Sequence, residues 1–257
     1  MVTTRARRAA WAVTAVLLLT SCAASPTTTF LSDTGRAVTV DWADYPGRAG
    51  IDTSEALLAP TADAIPAVSA ALVGEIEQRL TQEFGLTWQN GPTGQPDAGA
   101  FYPESGNGYG GETLLVTFNS GERQSDGIPS SGQDWRRIVA IISGVTADAG
   151  LGDFEVDNLK PERAADITER FGSLEPDEQW LWFGTAYGAS QWISASLVDV
   201  DRDASGEAAT DHPDGWNPQS ITLSYGATTV RAEDHAAFQK RMAPFAGLDM
   251  PAATTSD

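Results

Sequence analysis

The sequence predicts an α+β domain in two layers, an antiparallel sheet with helices packed mainly on one face. Three observations lead there. Residues 64–84 and 133–149 each carry apolar side chains at helical spacing. Three runs near the C-terminal end, 179–187, 191–200 and 220–225, are rich in aromatic and branched residues and are separated by turn or polar segments, as in a meander. Helices and strands follow the order α-β-β-α-β-α-β-β-β-α, which lacks the regular alternation of a parallel sheet.

From the N-terminus, residues 1–21 have the layout of an export signal. Arg5, Arg7 and Arg8 precede an apolar run from Ala9 to Leu19, well short of the roughly 20 residues that cross a bilayer. Leu19-Thr20-Ser21-Cys22 matches the bacterial lipobox. In that motif the cysteine thiol takes a diacylglyceryl group and cleavage makes it the new N-terminus. Cys22, the only cysteine, is therefore expected to carry the lipid. The anchor, with fatty acyl chains such as palmitate, would hold the protein on the extracytoplasmic face of the cell membrane. Removing 21 residues and three arginines leaves 236 residues and takes the formal charge from −19 to −22. A mature chain without a disulfide must be stabilised by core burial alone. Its acidic body disfavours nucleic acid as a partner.

Residues 22–60 are expected as the lipid-anchored tether and an N-terminal segment, with "AASPTTTFLS" (23–32) the tether proper. A single globular domain is expected over 61–247, and a disordered tail over 248–257. The first helix, 64–84, presents Val68, Leu72, Ile76, Leu80 and Phe84 at four-residue steps and stops at Gly85. "LTWQ" (86–89) and "ETLLVTFN" (112–119) read as strands. The Gly/Pro-rich stretch between them, 90–111, is long for a connection in a compact domain. Ser131 can cap the second helix, whose stripe is Trp135, Ile138, Val139, Ile142 and Val145. A short strand "DFEV" and a helix over 161–172 follow, then the three meander strands and a closing helix over 232–242.

The lipobox, the helix running into "GLTWQNGPTGQP", the helix "DWRRIVAIISGVTADAGLG" and the hairpin "YGASQWISASLV" resemble, in order and spacing, the LppA-type lipoproteins of mycobacteria and related actinobacteria. The likeness spans about residues 60–225. It implies an α+β domain on the outer face of an actinobacterial membrane, and it transfers no catalytic residue.

Chemistry-bearing patterns are few. Asp199, Asp201 and Asp203 alternate like the first half of a calcium loop, whose carboxylates at positions 1, 3 and 5 surround the ion. Ala204 stands where that loop needs glycine, and Thr210 where it needs a bidentate glutamate, so a solvated acidic hairpin loop is the favoured reading. No cofactor is expected, with calcium there as the one candidate. His212 and His235 are far apart in sequence and form no zinc pair. No G-x-S-x-G, S-x-x-K or phosphate-binding glycine loop occurs.

The aromatic strands carry more. A three-residue turn at 188–190 would place Leu181, Phe183, Ile193, Ala195 and Leu197 on a core face, and Trp180, Trp182, Trp192, Ser194 and Ser196 on the other. Tryptophans beside hydroxyls suit a covering loop or a ligand with apolar faces, a sugar ring or an acyl chain. The 90–111 loop, with Phe101, Tyr102 and Tyr109, is expected to lie across that face and leave a ligand site at its margin. The functional expectation is a non-catalytic binding or scaffolding lipoprotein of the cell envelope, with a glycan, lipid or protein partner. The alternative is an envelope hydrolase that cleaves cell-wall glycan through a carboxylate pair the sequence does not locate.

Overall fold

The structure is a computed structural model and describes residues 24–32, 34–91, 98–203, 206, 208 and 217–255. Cys22 and His212 lie outside the described residues.

Two long helices form where their periodicity places them. α2 (Ile65–Phe84), preceded by the short α1 (Thr53–Leu58), begins with a proline in its first turn and buries Ile65, Leu72, Val73, Ile76 and Leu80. It ends at Gly85, whose φ of +72° is a left-handed cap that glycine adopts without steric cost. α3 (Gly132–Asp148) is capped by Ser131, whose hydroxyl accepts from the Asp134 N–H, and it buries Trp135, Ile138, Ile142 and Val145. These stripes meet one face of an eight-stranded sheet.

The sheet is antiparallel throughout and open. Its strands are β3 (Trp88–Asn90), β4 (Ala100–Pro103), β5 (Leu115–Asn119), β6 (Arg123–Ser125), β7 (Glu155–Val156), β8 (Leu181–Gly188), β9 (Gln191–Asp199) and β10 (Gln219–Val230). The spatial order is β3-β6-β10-β9-β8-β7, and β5 extends the β6 edge of β10 with β4 outside it. The fold is α+β, and β8-β9-β10 is the meander read from the sequence.

Alternation divides the sheet. Trp182, Ala186, Ile193, Ala195, Leu197, Ile221, Leu223, Tyr225 and Phe118 join α2 and α3 in the main core. Among the described residues, the opposite face is covered at its two ends. At one end Leu115 and Val230 pack with Ala56 of α1 and Phe238 of α5 (His235–Met242). At the other, Val198 and Trp180 pack with Ile167 and Phe171 of α4 (Ala164–Phe171). The three short helices therefore pack on the face opposite α2 and α3, while the two long helices stay together on one side.

The N-terminal segment is more ordered than a tether. Thr27–Leu31 (β1) pairs with Ala37–Asp41 (β2) in a separate hairpin. Its inner face joins a cluster of Trp42, Tyr45, Tyr109 and Phe245, with aromatic centroids 5.1–6.2 Å apart. Asn107, fully buried, fastens that cluster to the body: its amide donates to the carbonyls of Trp42, Ala43 and Tyr45, and its oxygen accepts from the N–H groups of Tyr109 and Gly111. Residues 248–255 are also tied down. The Tyr109 hydroxyl donates to the Pro251 carbonyl, and the Thr254 N–H to the Gly108 carbonyl.

Candidate functional site

The hairpin β8–β9 decides which aromatic side chains reach solvent. Gly188 pairs with Gln191 and Tyr187 with Trp192, so the turn has two residues, Ala189 and Ser190. Both are left-handed, with φ of +47° and +57°, the backbone of the tight primed turn whose twist matches the strands. The three-residue turn expected from the sequence is wrong by one residue. A slip of one moves every side chain of a strand to the other face.

The assignment of Trp180, Trp182 and Trp192 to one face, lying under the 90–111 loop, is corrected accordingly. Trp182 points into the main core, fully buried against Trp135 at 5.3 Å and nearly perpendicular. Trp180 is buried under α4 beside Phe171, 5.7 Å away. Trp192 lies on the same outer face as Trp180 but beyond the cover of α4, half-buried. The 90–111 segment does not supply a cover in its described part: Ala100–Pro103 pairs with β5, Phe101 packs on Phe118 at 5.0 Å, and Tyr109 joins the N-terminal cluster.

The outer face that results carries Phe183, Thr185 and Tyr187 of β8 opposite Trp192, Ser194 and Ser196 of β9. Phe183 is 43% exposed and Tyr187 69% exposed. Trp192 lies against Gly226 of β10, where a Cβ would come within 2.1 Å of the indole, and its ring sits 6.2 Å from that of Tyr187. Gly226 thus lets the indole lie down on the sheet.

Beside these side chains is a cleft of about 550 Å³. Its floor is Phe183, Thr185, Tyr187 and Ser194, and its wall is the 151–160 segment after α3, with Asp153, Glu155, Asp157 and Lys160. Three hydrogen bonds of Asn158 fix that wall. Its amide donates to the Leu181 carbonyl (2.8 Å) and to Gln179 Oε1 (3.1 Å), and its oxygen accepts from the Phe183 N–H (3.0 Å). Lys160 Nζ stands 2.7 Å from Asp157 and 3.3 Å from Glu155. The bond to Asp157, then that to Glu155, holds the lysine above its ordinary range. Three carboxylates against one ammonium make the rim acidic, so it repels anions and admits neutral or cationic ligands.

The described part of the acidic loop is tied by its own hydrogen bonds, with Asp199 buried and Asp201 exposed. Asp199 caps the turn at 200–202, accepting from the Asp201 N–H. The Gln219 amide donates to both Asp199 (3.2 Å) and Asp201 (2.8 Å), and Asp203 accepts from the Ala208 N–H. Arg202 lies over the Trp135 ring at 4.1 Å and donates to the Asp177 carbonyl. Among the described residues, no three His, Cys, Asp or Glu side chains converge as a metal-ligand set. His235 opens α5, away from these acids in sequence.

Phe183, Tyr187 and the 151–160 wall were missed as site residues in the sequence reading. A signal was present: a register that buries Phe183 also buries Thr185 on the same face, while the true one gathers Thr185, Ser194 and Ser196 on the wet side.

No family model matches this chain, and no curated protein matches it. Among solved structures the chain is similar to the "Crystal structure of the putative lipoprotein LppA from Mycobacterium tuberculosis", at 11% identity and a TM-score of 0.41, over 77% of this chain and 87% of that one. A likeness at that level transfers no function.

Proposed function

We propose that this protein is a cell-envelope lipoprotein, anchored through Cys22, that binds a neutral glycan in the cleft between β8–β9 and the 151–160 wall. The anchor rests on the lipobox. The binding reading rests on one observation: aromatic faces left open beside hydroxyls and carboxylates in a concave site. Sugar rings offer apolar faces to Phe183 and Tyr187 and hydroxyls to Thr185, Ser194 and the rim acids, and a site of a few placed polar groups among apolar ones is what small-ligand recognition uses.

A glycan hydrolase is less well supported. Its general acid must keep a proton near neutral pH, which an apolar pocket secures. Glu155 and Asp157 instead share the Lys160 ammonium on an open rim, an arrangement suited to holding a ligand.

The test is calorimetric titration of the detergent-solubilised lipoprotein with chitotetraose as a neutral hexosamine oligomer. Binding weakened at least tenfold by Tyr187→Ala, and not by Tyr102→Ala on β4, is the expected result. Affinity unmoved by Tyr187→Ala and by Phe183→Ala would discard the cleft as the site.

A further inference from the structure

Among the described residues, one face of the β1–β2 hairpin has nothing packed on it. Alternation turns Thr28, Phe30, Val38 and Val40 onto the aromatic cluster, and turns Thr27, Thr29, Leu31, Ala37, Thr39 and Asp41 outward, all exposed. Leu31 is 73% exposed. Five of those six side chains are uncharged, on a chain with 35 acidic and 16 basic residues. The exception, Asp41, lies at the end where the chain enters, and its carboxylate accepts from the Ala43 N–H.

The point of entry decides what this face meets. Cys22 stands five residues before Thr27, so about 18 Å of fully extended chain, plus the reach of the cysteine side chain, is the most that can separate the lipidated sulfur from the first strand. A strand so close to its anchor stays near the lipid headgroups. An acidic body is repelled by an anionic leaflet, so an uncharged face can approach at least electrostatic cost, and Leu31 adds apolar contact.

We infer that the outward face of the β1–β2 hairpin rests on the bilayer beside the anchor and holds the body in one orientation. The inference rests on the Cys22 reading. The 42–46 segment that directly follows the hairpin docks on the 104–114 segment between β4 and β5, through Asn107 and through the Leu114 N–H on the Pro46 carbonyl. The membrane-proximal side of the sheet is then its β4–β5 edge. The cleft lies at the β7 edge, four strand spacings from β5, or about 19 Å across the sheet, and opens away from the lipid.

The test uses the full lipidated chain in vesicles of phosphatidylcholine with one quarter phosphatidylglycerol. A single cysteine is introduced at Thr29→Cys, at Thr39→Cys or at Thr185→Cys and labelled with a nitrobenzoxadiazole dye. Acylation of Cys22 leaves the introduced thiol as the reactive one. Labels at 29 and 39 are expected to lose at least half their emission to a headgroup-level spin-labelled lipid, and to be reduced by aqueous dithionite at least threefold more slowly than in detergent. The label at 185 should respond to neither. Protein that floats with the vesicles while all three labels behave alike overturns the docking and leaves the anchor standing. Protein that fails to float overturns both.

Discussion

Trp182 and Trp192 sit ten residues apart and show how far one residue type can differ in role. Trp182 is sealed beneath α3, and Trp182→Ala should cost roughly 3–5 kcal/mol, as large-to-small changes in a close-packed core do. Trp192 lies half-open on Gly226, so Trp192→Ala should cost about 1–2 kcal/mol. Urea unfolding of the two variants checks the order, and equal losses would contradict the register. At the same scale, Asp126 accepts from the Thr87 hydroxyl (2.7 Å) and N–H (3.1 Å). Those bonds, the hydroxyl foremost, hold its carboxyl below the usual range. A depressed carboxyl contributes stability that is present above its unfolded pKa and is lost as pH falls through the folded one. Asp126→Ala should therefore destabilise at pH 7 and matter progressively less below about pH 4. A penalty that stays constant from pH 7 to pH 3 would show that the charge is not the cause.

Among the described elements, the β8–β9 turn is the one with left-handed residues other than glycine. A left-handed backbone costs residues with a Cβ roughly 1–2 kcal/mol each, and asparagine followed by glycine is the pair such a turn prefers. Ala189→Asn combined with Ser190→Gly should raise stability by about 1–2 kcal/mol and leave the register unchanged, read by denaturant midpoint at constant slope. The same turn explains what the sequence concealed. Gly188-Ala189-Ser190 invites a three-residue loop, because neither Ala189 nor Ser190 advertises a left-handed conformation. Long elements such as α2 and α3 were legible because their apolar stripes repeat over several turns. β1, β4 and β6 were not. They span three to five residues, too short for alternation to stand out, and long-range pairing determines them.

At the scale of the molecule, the antiparallel α+β class was readable from element order, whereas the site was not. A cleft made by strand register and by a wall more than 20 residues earlier in the chain depends on tertiary placement, and none of the three expected tryptophans lines it. In the arrangement proposed from the acidic charge, the Cys22 anchor and the hairpin, the body is held at its β4–β5 edge with the cleft opening on the far side. The central claim is that ligand binds there. Its most direct measurement is an amide NMR shift map of the isotope-labelled lipoprotein in detergent during addition of chitotetraose. The account predicts saturable shifts concentrated at residues 151–160, 183–187 and 192–194. Shifts concentrated instead along α2 at Pro66, Val73 and the facing Gly121, or none at all, would contradict it.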